Sequence, residues 1–313
     1  LVDAPDVFLN KRRTPICQVA SMTNGSKPTD GGNLLMNDAD KEALVAAEPQ
    51  AAKWIRPFLG AEEFINNTAR WCLWLVDCPP NELRALPEVM KRVQAVKAMR
   101  LASAKIATVQ SAGTPSIFGQ LRQPINNFIA LPEVSSERRK FIPIGFLDSE
   151  IVPSNKIQTI PNGTLFQFGV LCSTMHNSWM RYTCGRLESR YSYSASIVYN
   201  NYPWPGFAGE PLSDKHSTAI EQAAQCVLDA RAQFASSSLA DLYDPLTMPP
   251  ALLKAHQKLD TAVDAAYQPS GGKKSYASDA ERVAFLFELY QRITSLLPAP
   301  VAKKTRKTKF MDS

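Results

Sequence analysis

Cys172, His176 and Cys184 bracket one stretch predicted to be helical, and two thiols with an imidazole are groups from which a metal site or an activated nucleophile can be built. Four ligands at short paired spacings are missing, so a metal is not expected. None of the three histidines stands where a general base is marked: His256 falls four residues after Leu252 on an apolar helical stripe, and His176 and His216 have no better claim. Two other segments, Asp77-Cys78-Pro79-Pro80-Asn81 and Asn201-Tyr202-Pro203-Trp204, imitate the Asn/Asp/Ser-Pro-Pro-aromatic motif that holds an exocyclic amine during methyl transfer. In the first a cysteine intrudes and no aromatic follows; the second has one proline. Neither is accompanied by a glycine-rich cofactor turn after a strand, so both read as a turn and a strand terminus. No catalytic residue, metal or cofactor is therefore assigned to this chain.

What survives is a pair of polar segments suited to binding. Ser135-Ser136-Glu137-Arg138-Arg139-Lys140 joins two predicted strands with small hydroxyls and three consecutive cations. Such groups donate to phosphate oxygens and fix a protein's register on a duplex. An exposed charged loop, partly neutralised by Glu137, accounts for the same residues. Gly185-Arg186-Leu187-Glu188-Ser189-Arg190-Tyr191-Ser192 is more pointed, because Glu188 and Arg190 face the same way if the chain is extended. Arginine can donate to both major-groove acceptors of guanine, and glutamate accepts from the cytosine amine, so the pair matches both halves of one C·G pair. The spacing also suits an internal salt bridge, and the residues alone leave both readings open. Ser189 and Ser192 join the base-reading candidates, and Arg186 joins the phosphate candidates.

These segments must be held by a sheet and by helices. Between about 127 and 170 the sequence reads as short strands over 128–131, 141–146, 156–160 and 165–170, broken by Pro and Gly. A helix is predicted over 173–184, followed by an aromatic, β-branched run over 193–199 that stops at Pro203-Trp204-Pro205-Gly206. Upstream, 24–32 is rich in turn formers, 38–52 reads as a helix, and 71–76 is an apolar run fitting a buried strand. A helix over 87–105 aligns Val89, Val93 and Val96 and is expected to expose Lys91, Arg92, Lys97 and Arg100, a basic face suited either to solvent or to phosphates. After a boundary near 206–212 come three helices. The first starts near Ser213 with Ile220, Ala224, Val227 and Phe234 on one face, and the second carries Leu252, Leu259 and Val263. The third opens at Ser278-Asp279-Ala280-Glu281, a reciprocal cap, and closes at Pro298. The expected fold class is α+β: a mixed-sheet domain over 1–210, with residues 1–35 as a connector, then an all-α domain over 211–298 and a disordered basic tail over 299–313.

Composition bounds these readings. With 313 residues and 45% hydrophobic content the chain can fill a core. Of the formal charge of +6, the tail cations Lys303, Lys304, Arg306, Lys307 and Lys309 account for most, so any nucleic-acid surface on the body must arise from local clustering. No run of about 18 apolar residues suggests a membrane span, no secretory signal is present, and a cytoplasmic location is expected. The six scattered cysteines are expected to be reduced. The opening Leu1-Val2-Asp3-Ala4-Pro5 reads as a connector within a longer polypeptide.

The sequence as a whole resembles the MmeI-type (type IIL) enzymes, single polypeptides that combine a nuclease, an adenine-N6 methyltransferase, a target recognition domain and a C-terminal helical region. The resemblance rests on 52–60, 63–66, 70–75, 134–143, Gly185-Arg186-Leu187, Val198-Tyr199-Asn200-Asn201-Tyr202-Pro203-Trp204-Pro205, 242–250 and the helix after Ser278. It implies that this chain is only the target recognition domain and the helical piece. Its partners would be double-stranded DNA and an upstream methyltransferase domain of the same polypeptide, with S-adenosylmethionine bound by the parent enzyme. In that family the stretch holding Glu188 and Arg190 chooses the base pair at one recognition position: a Glu/Arg pair implies cytosine on the read strand, a Lys/Asp pair guanine. Glu133, Asn155 and Lys156 stand where relatives choose other bases. Whether the parent also cleaves DNA is left open. A stand-alone DNA-binding specificity protein is the alternative, and a small Cys/His catalyst a more distant one.

Overall fold

The computed structural model describes residues 7–207, 211–268 and 275–296. In chain order it begins with β1 (Thr23–Asn24), β2 (Leu35–Met36), α1 (Asp38–Ala47), β3 (Ile55–Leu59), α2 (Ala61–Asn66), β4 (Trp71–Leu73), α3 (Pro80–Arg84), α4 (Pro87–Leu101) and α5 (Ile106–Gln110). The middle carries β5 (Phe128–Pro132), β6 (Val134–Ser135), β7 (Gly145–Leu147), β8 (Val152–Pro153), β9 (Ile157–Pro161), α6 (Leu165–Cys172), α7 (Thr174–Thr183), β10 (Gly185–Leu187) and β11 (Arg190–Ser192). Helices α8 (Asp214–Ala232), α9 (Leu239–Leu242), α10 (Pro250–Ala266) and α11 (Asp279–Leu296) follow. The fold is thus α+β, with sheets in the N-terminal part and helices beyond it. The expected basic tail at 299–313 and the stop at Pro298 lie outside the described residues.

Three small sheets organise the first part. One has the order β1-β9-β5-β7 and is antiparallel throughout; β5 is buried along its whole length, as expected of an apolar run paired on both edges. The second, β2-β4-β3-β8, is mixed, because β3 runs parallel to β8. The third, β10-β11-β6, is antiparallel and carries both polar segments.

Several expectations change. The run at 165–170 is helix α6, not a strand. Thr164 Oγ1 accepts from Gln167 N at 3.2 Å and Gln167 Oε1 from Thr164 N at 3.0 Å, a capping box that starts a helix buried on nearly every side. Of 141–146, only Gly145 and Phe146 lie in a strand, β7; before them the backbone joins no ladder. The run at 193–199 is also not a strand, since Ala195–Tyr199 winds into one π-helical turn. Asn200 and Asn201 then fasten the N-terminal connector, donating to Arg12 O at 2.9 Å and Asn10 O at 3.0 Å. The helix expected over 38–52 ends at Ala47, with Pro49 opening a separate 3-10 turn. Helix α4 buries Val89, Val93 and Val96 as expected, but Arg100 is buried too. Its guanidinium donates to five carbonyls, of Pro28, Thr29, Ser111, Thr114 and Ile117, and ties the helix to two loops.

The C-terminal helices share one hydrophobic cluster with α6, α7 and the strands: Phe168, Leu171, Met175 and Trp179 pack with Ile220, Val227, Leu259 and Leu286. The approach is close enough that a Cβ on Gly169 would stand 2.8 Å from Ile220 and 3.2 Å from Leu259. Asp260 of α10 also caps α7, accepting from Thr174 N and Oγ1, both at 2.6 Å. Ser278 Oγ accepts from Glu281 N at 3.3 Å at the start of α11.

Candidate nucleic-acid interface

The sheet β10-β11-β6 brings together two segments some fifty residues apart in sequence. Tyr191 pairs with Ser135 and Ser192 with Val134, while Leu187 opposes Arg190 and Gly185 opposes Ser192. Side chains alternate across a strand, so Leu187, Arg190, Ser192 and Val134 share one face and Arg186, Tyr191 and Ser135 the other. Tyr191 and Ser135 are buried; Leu187 and Arg190 are exposed.

The register leaves Glu188 and Ser189 as a two-residue hairpin loop. Glu188 takes φ +56°, a left-handed conformation that such tight loops require at a central position. The extended backbone assumed for Glu188 and Arg190 is therefore corrected: the acid sits on the hairpin tip and the arginine opens β11. They still meet, with Arg190 Nη2 donating to Glu188 Oε2 at 2.8 Å while the side chains remain 46% and 77% exposed respectively. In the free molecule the pair is thus a solvated salt bridge whose groups remain open to another partner. Ser189 lies beside it on the tip, and Ser192 is half-buried at the other end of β11.

Arg186 arches over Tyr191, its guanidinium 4.1 Å from the ring centroid, and donates to Ser189 O at 3.2 Å. It stiffens the hairpin while staying exposed. Across the sheet, Tyr193 N donates to Glu133 O at 2.7 Å, and Glu133 Oε1 faces Lys156 Nζ at 3.4 Å. Lys156 and Asn155 line a cleft of about 430 Å³ together with Val134, Glu63 and Arg70. The neighbouring cleft, about 370 Å³, is lined by Ser135, Ser136, Arg139 and Arg190, with Glu62 and Asn66 of α2 opposite. Glu62 and Asn66 were not anticipated; no local signal marks them, because only the tertiary fold sets α2 against the hairpin.

Arg138 and Lys140 are exposed on the loop after β6, whereas Arg139 is half-buried. Burial lowers the Arg139 guanidinium from its ordinary value, opposed by the charge of Asp244. Arg139 Nε and Ser135 Oγ have no hydrogen-bond partner among the described residues. Both line the cleft beside Arg190, so this corner holds donors with free capacity next to an exposed guanidinium.

The other sequence candidates are placed elsewhere. His176 engages Leu171 O and Tyr193 Oη, each at 3.0 Å, and burial pulls it down to about 3. Cys172 is buried, with its thiol pushed up to about 12. The Asn201 amide is held by the carbonyls of Asn10, Ser196 and Ile197, and Trp204 is buried, so Asn201-Tyr202-Pro203-Trp204 has no free amide to offer a base. Pro79 and Pro80 begin α3. His256 lies in the core, and His216 accepts or donates at 2.8 Å to Ser213 Oγ.

Comparison with known proteins follows this geometry. Residues 3–206 match the family model of the MmeI target recognition domain, and residues 212–298 that of the MmeI C-terminal domain. The type IIL restriction-modification enzyme MmeI, solved in complex with DNA, superposes with a TM-score of 0.89 at 49% identity, over 94% of this chain and 38% of that one. DNA methyltransferase A of Bacillus subtilis (strain 168) is 34% identical over 294 residues, which is 94% of this chain and 32% of that protein. The chain thus spans about a third of the length of these relatives. With both family models together covering most of its residues, the chain belongs to the MmeI family, as a target recognition domain followed by the family's C-terminal domain.

Proposed function

We propose that this chain is the sequence-reading module of a site-specific DNA adenine-N6 methyltransferase of a bacterial restriction-modification system. The exposed face of β10-β11-β6 enters the major groove, where Arg190 donates to guanine and Glu188 accepts from the paired cytosine. Glu133, Asn155 and Lys156, with Ser189 and Ser192, face neighbouring base pairs. Ser135, Ser136, Arg138, Arg139, Lys140 and Arg186 hold the flanking phosphates and set the register. The carrying observation is that one small sheet joins the Glu188–Arg190 hairpin to Ser135, with Ser136 and Arg139 beside Arg190 in the adjoining cleft. The relative MmeI, solved with DNA, supports the same assignment.

The reactive centre, its S-adenosylmethionine and the pocket for an extruded adenine belong to an upstream methyltransferase domain of the same polypeptide. The Asn201 amide is bonded internally, so the Asn201-Tyr202-Pro203-Trp204 segment is not read as a holder of the adenine. Its contribution is to decide which adenine is presented. Working on DNA, the parent acts in the bacterial cytoplasm. Among the described residues no helix is long and apolar enough to cross a membrane.

Selection of duplexes from a randomised pool by the full-length protein tests the reading. Recovery of one defined motif containing an adenine that the protein methylates is the expected result. Recovery of unenriched sequence, or enrichment of single strands, overturns it.

A further inference from the structure

The loop that carries Arg138, Arg139 and Lys140 has almost no structure of its own. Between Ser136 and Ile144 the backbone joins no strand ladder, and its internal turn bonds are Arg139 N to Ser136 O at 3.3 Å and Arg138 N to Ser136 Oγ at 3.2 Å. Helices hold it instead. Asn177 Oδ1 of α7 accepts from Ile142 N at 2.9 Å. The Phe141 ring stacks on His256 of α10, with centroids 4.1 Å apart and planes 17° from parallel. Arg231 of α8 donates to Ile144 O at 2.5 Å and, through Nε, to the Tyr243 hydroxyl at 2.8 Å. That hydroxyl lies 2.9 Å from His256 Nε2. Arg231 can only donate, so the Tyr243 oxygen accepts from it while bonding His256 Nε2, and the three side chains form one connected chain. A second brace starts in α11: Asp279 pairs with Arg181 at 2.7 Å, and Arg181 donates to Lys140 O.

We propose that the C-terminal helices are the positioning element of the phosphate-contacting loop, with Arg231, Tyr243 and His256 fixing Phe141 and Ile144, and the Asp279-oriented Arg181 fixing Lys140. None of these residues touches DNA in this scheme. They act through the loop, so the C-terminal domain governs how many phosphates the recognition domain engages. The inference rests on the proposed reading of 135–140 as a phosphate contact.

Two substitutions in the full-length protein test it. Tyr243→Phe removes one hydroxyl from the first brace, and Arg181→Met removes the second while keeping its aliphatic stem. Hydrogen exchange of the Arg139 and Ile142 amides accelerates about tenfold or more in each, a loss of about 1.4 kcal/mol in local opening free energy, while β5 and β9 exchange as in the wild type. The slope of log affinity against log salt for random-sequence duplex flattens by about one to two, as about 0.9 is lost per released phosphate. A stability defect alone leaves that slope unchanged among folded molecules. If both variants keep the wild-type slope, the inference is overturned, whatever the exchange shows. If the wild type itself binds duplex without salt dependence, the underlying phosphate reading is what fails.

Discussion

Exchanging the two charges at the hairpin tip has a consequence that can be sized from the structure. In the free molecule Glu188 and Arg190 pair at 2.8 Å with both side chains well exposed. Such a pair is worth about 0–1 kcal/mol, so opening it to a base pair costs little. A bidentate contact with the correct base is worth about 1–3 kcal/mol of discrimination, which corresponds to roughly 5- to 150-fold. The double substitution Glu188→Lys, Arg190→Asp reverses donor and acceptor along the hairpin. It leaves the ion pair possible and, on an exposed tip, changes stability by no more than about 0.5 kcal/mol. The expected result is a motif changed from C to G at one position, with the others retained. Sequencing methylated adenines in host DNA after expression of the full-length variant reads this directly. A folded double variant that still methylates the original motif would refute the assignment of this pair to a base.

Three further outcomes follow from the fold. Arg100→Met leaves the buried carbonyls of Thr29 and Ile117 without a donor, while those of Pro28, Ser111 and Thr114 keep a backbone N–H, and should lower unfolding free energy by about 2 kcal/mol or more, seen as a lower urea midpoint. The buried histidines make the protein acid-sensitive. Burial brings His176 to about 3 and, with Arg231 and Lys140, holds His256 well below its ordinary value of 6.5. The unfolded chain therefore binds these protons first, so stability is intact above about 6.5 and falls as pH drops toward 3. Asp260 and Asp264, raised by burial, oppose this only nearer the carboxylate range; a urea midpoint that does not fall between pH 7.5 and 5.5 contradicts the claim. Thiol titration of the native protein should react first at exposed Cys226, while Cys17, pushed up to about 11, and Cys72 and Cys172, up to about 12, wait for unfolding.

Much of the fold was legible locally. The valine stripe of α4 and the apolar faces of α8 and α10 follow from helical periodicity, and the strands β5 and β9 from β-rich runs broken by Pro and Gly, with helix α7 after them. The failure at 165–170 had a readable cause, since Thr164 and Gln167 spell a capping box that an apolar run outweighed. The segments 141–144 and 193–199 could not be read locally. Their aromatic and β-branched composition serves burial against helices that pack on them only in the tertiary fold, α10 under Phe141 and α7 beside Tyr193. Arg100 stands four residues after Val96, on the valine stripe itself, so helical spacing already pointed it inward; its charge outweighed that position in the reading. At the candidate interface, residue chemistry singled out both polar segments, and the sheet register joined them. The hairpin turn at Glu188 and the apposition of Glu62 and Asn66 came only from the tertiary structure.

The most direct measurement is the structure of the full-length protein on the duplex it selects. The account predicts the exposed face of β10-β11-β6 inside the major groove, Arg190 on a guanine and Glu188 on its cytosine, with 135–140 along the adjoining phosphates. A complex in which this sheet faces solvent and the duplex lies against another surface would contradict it.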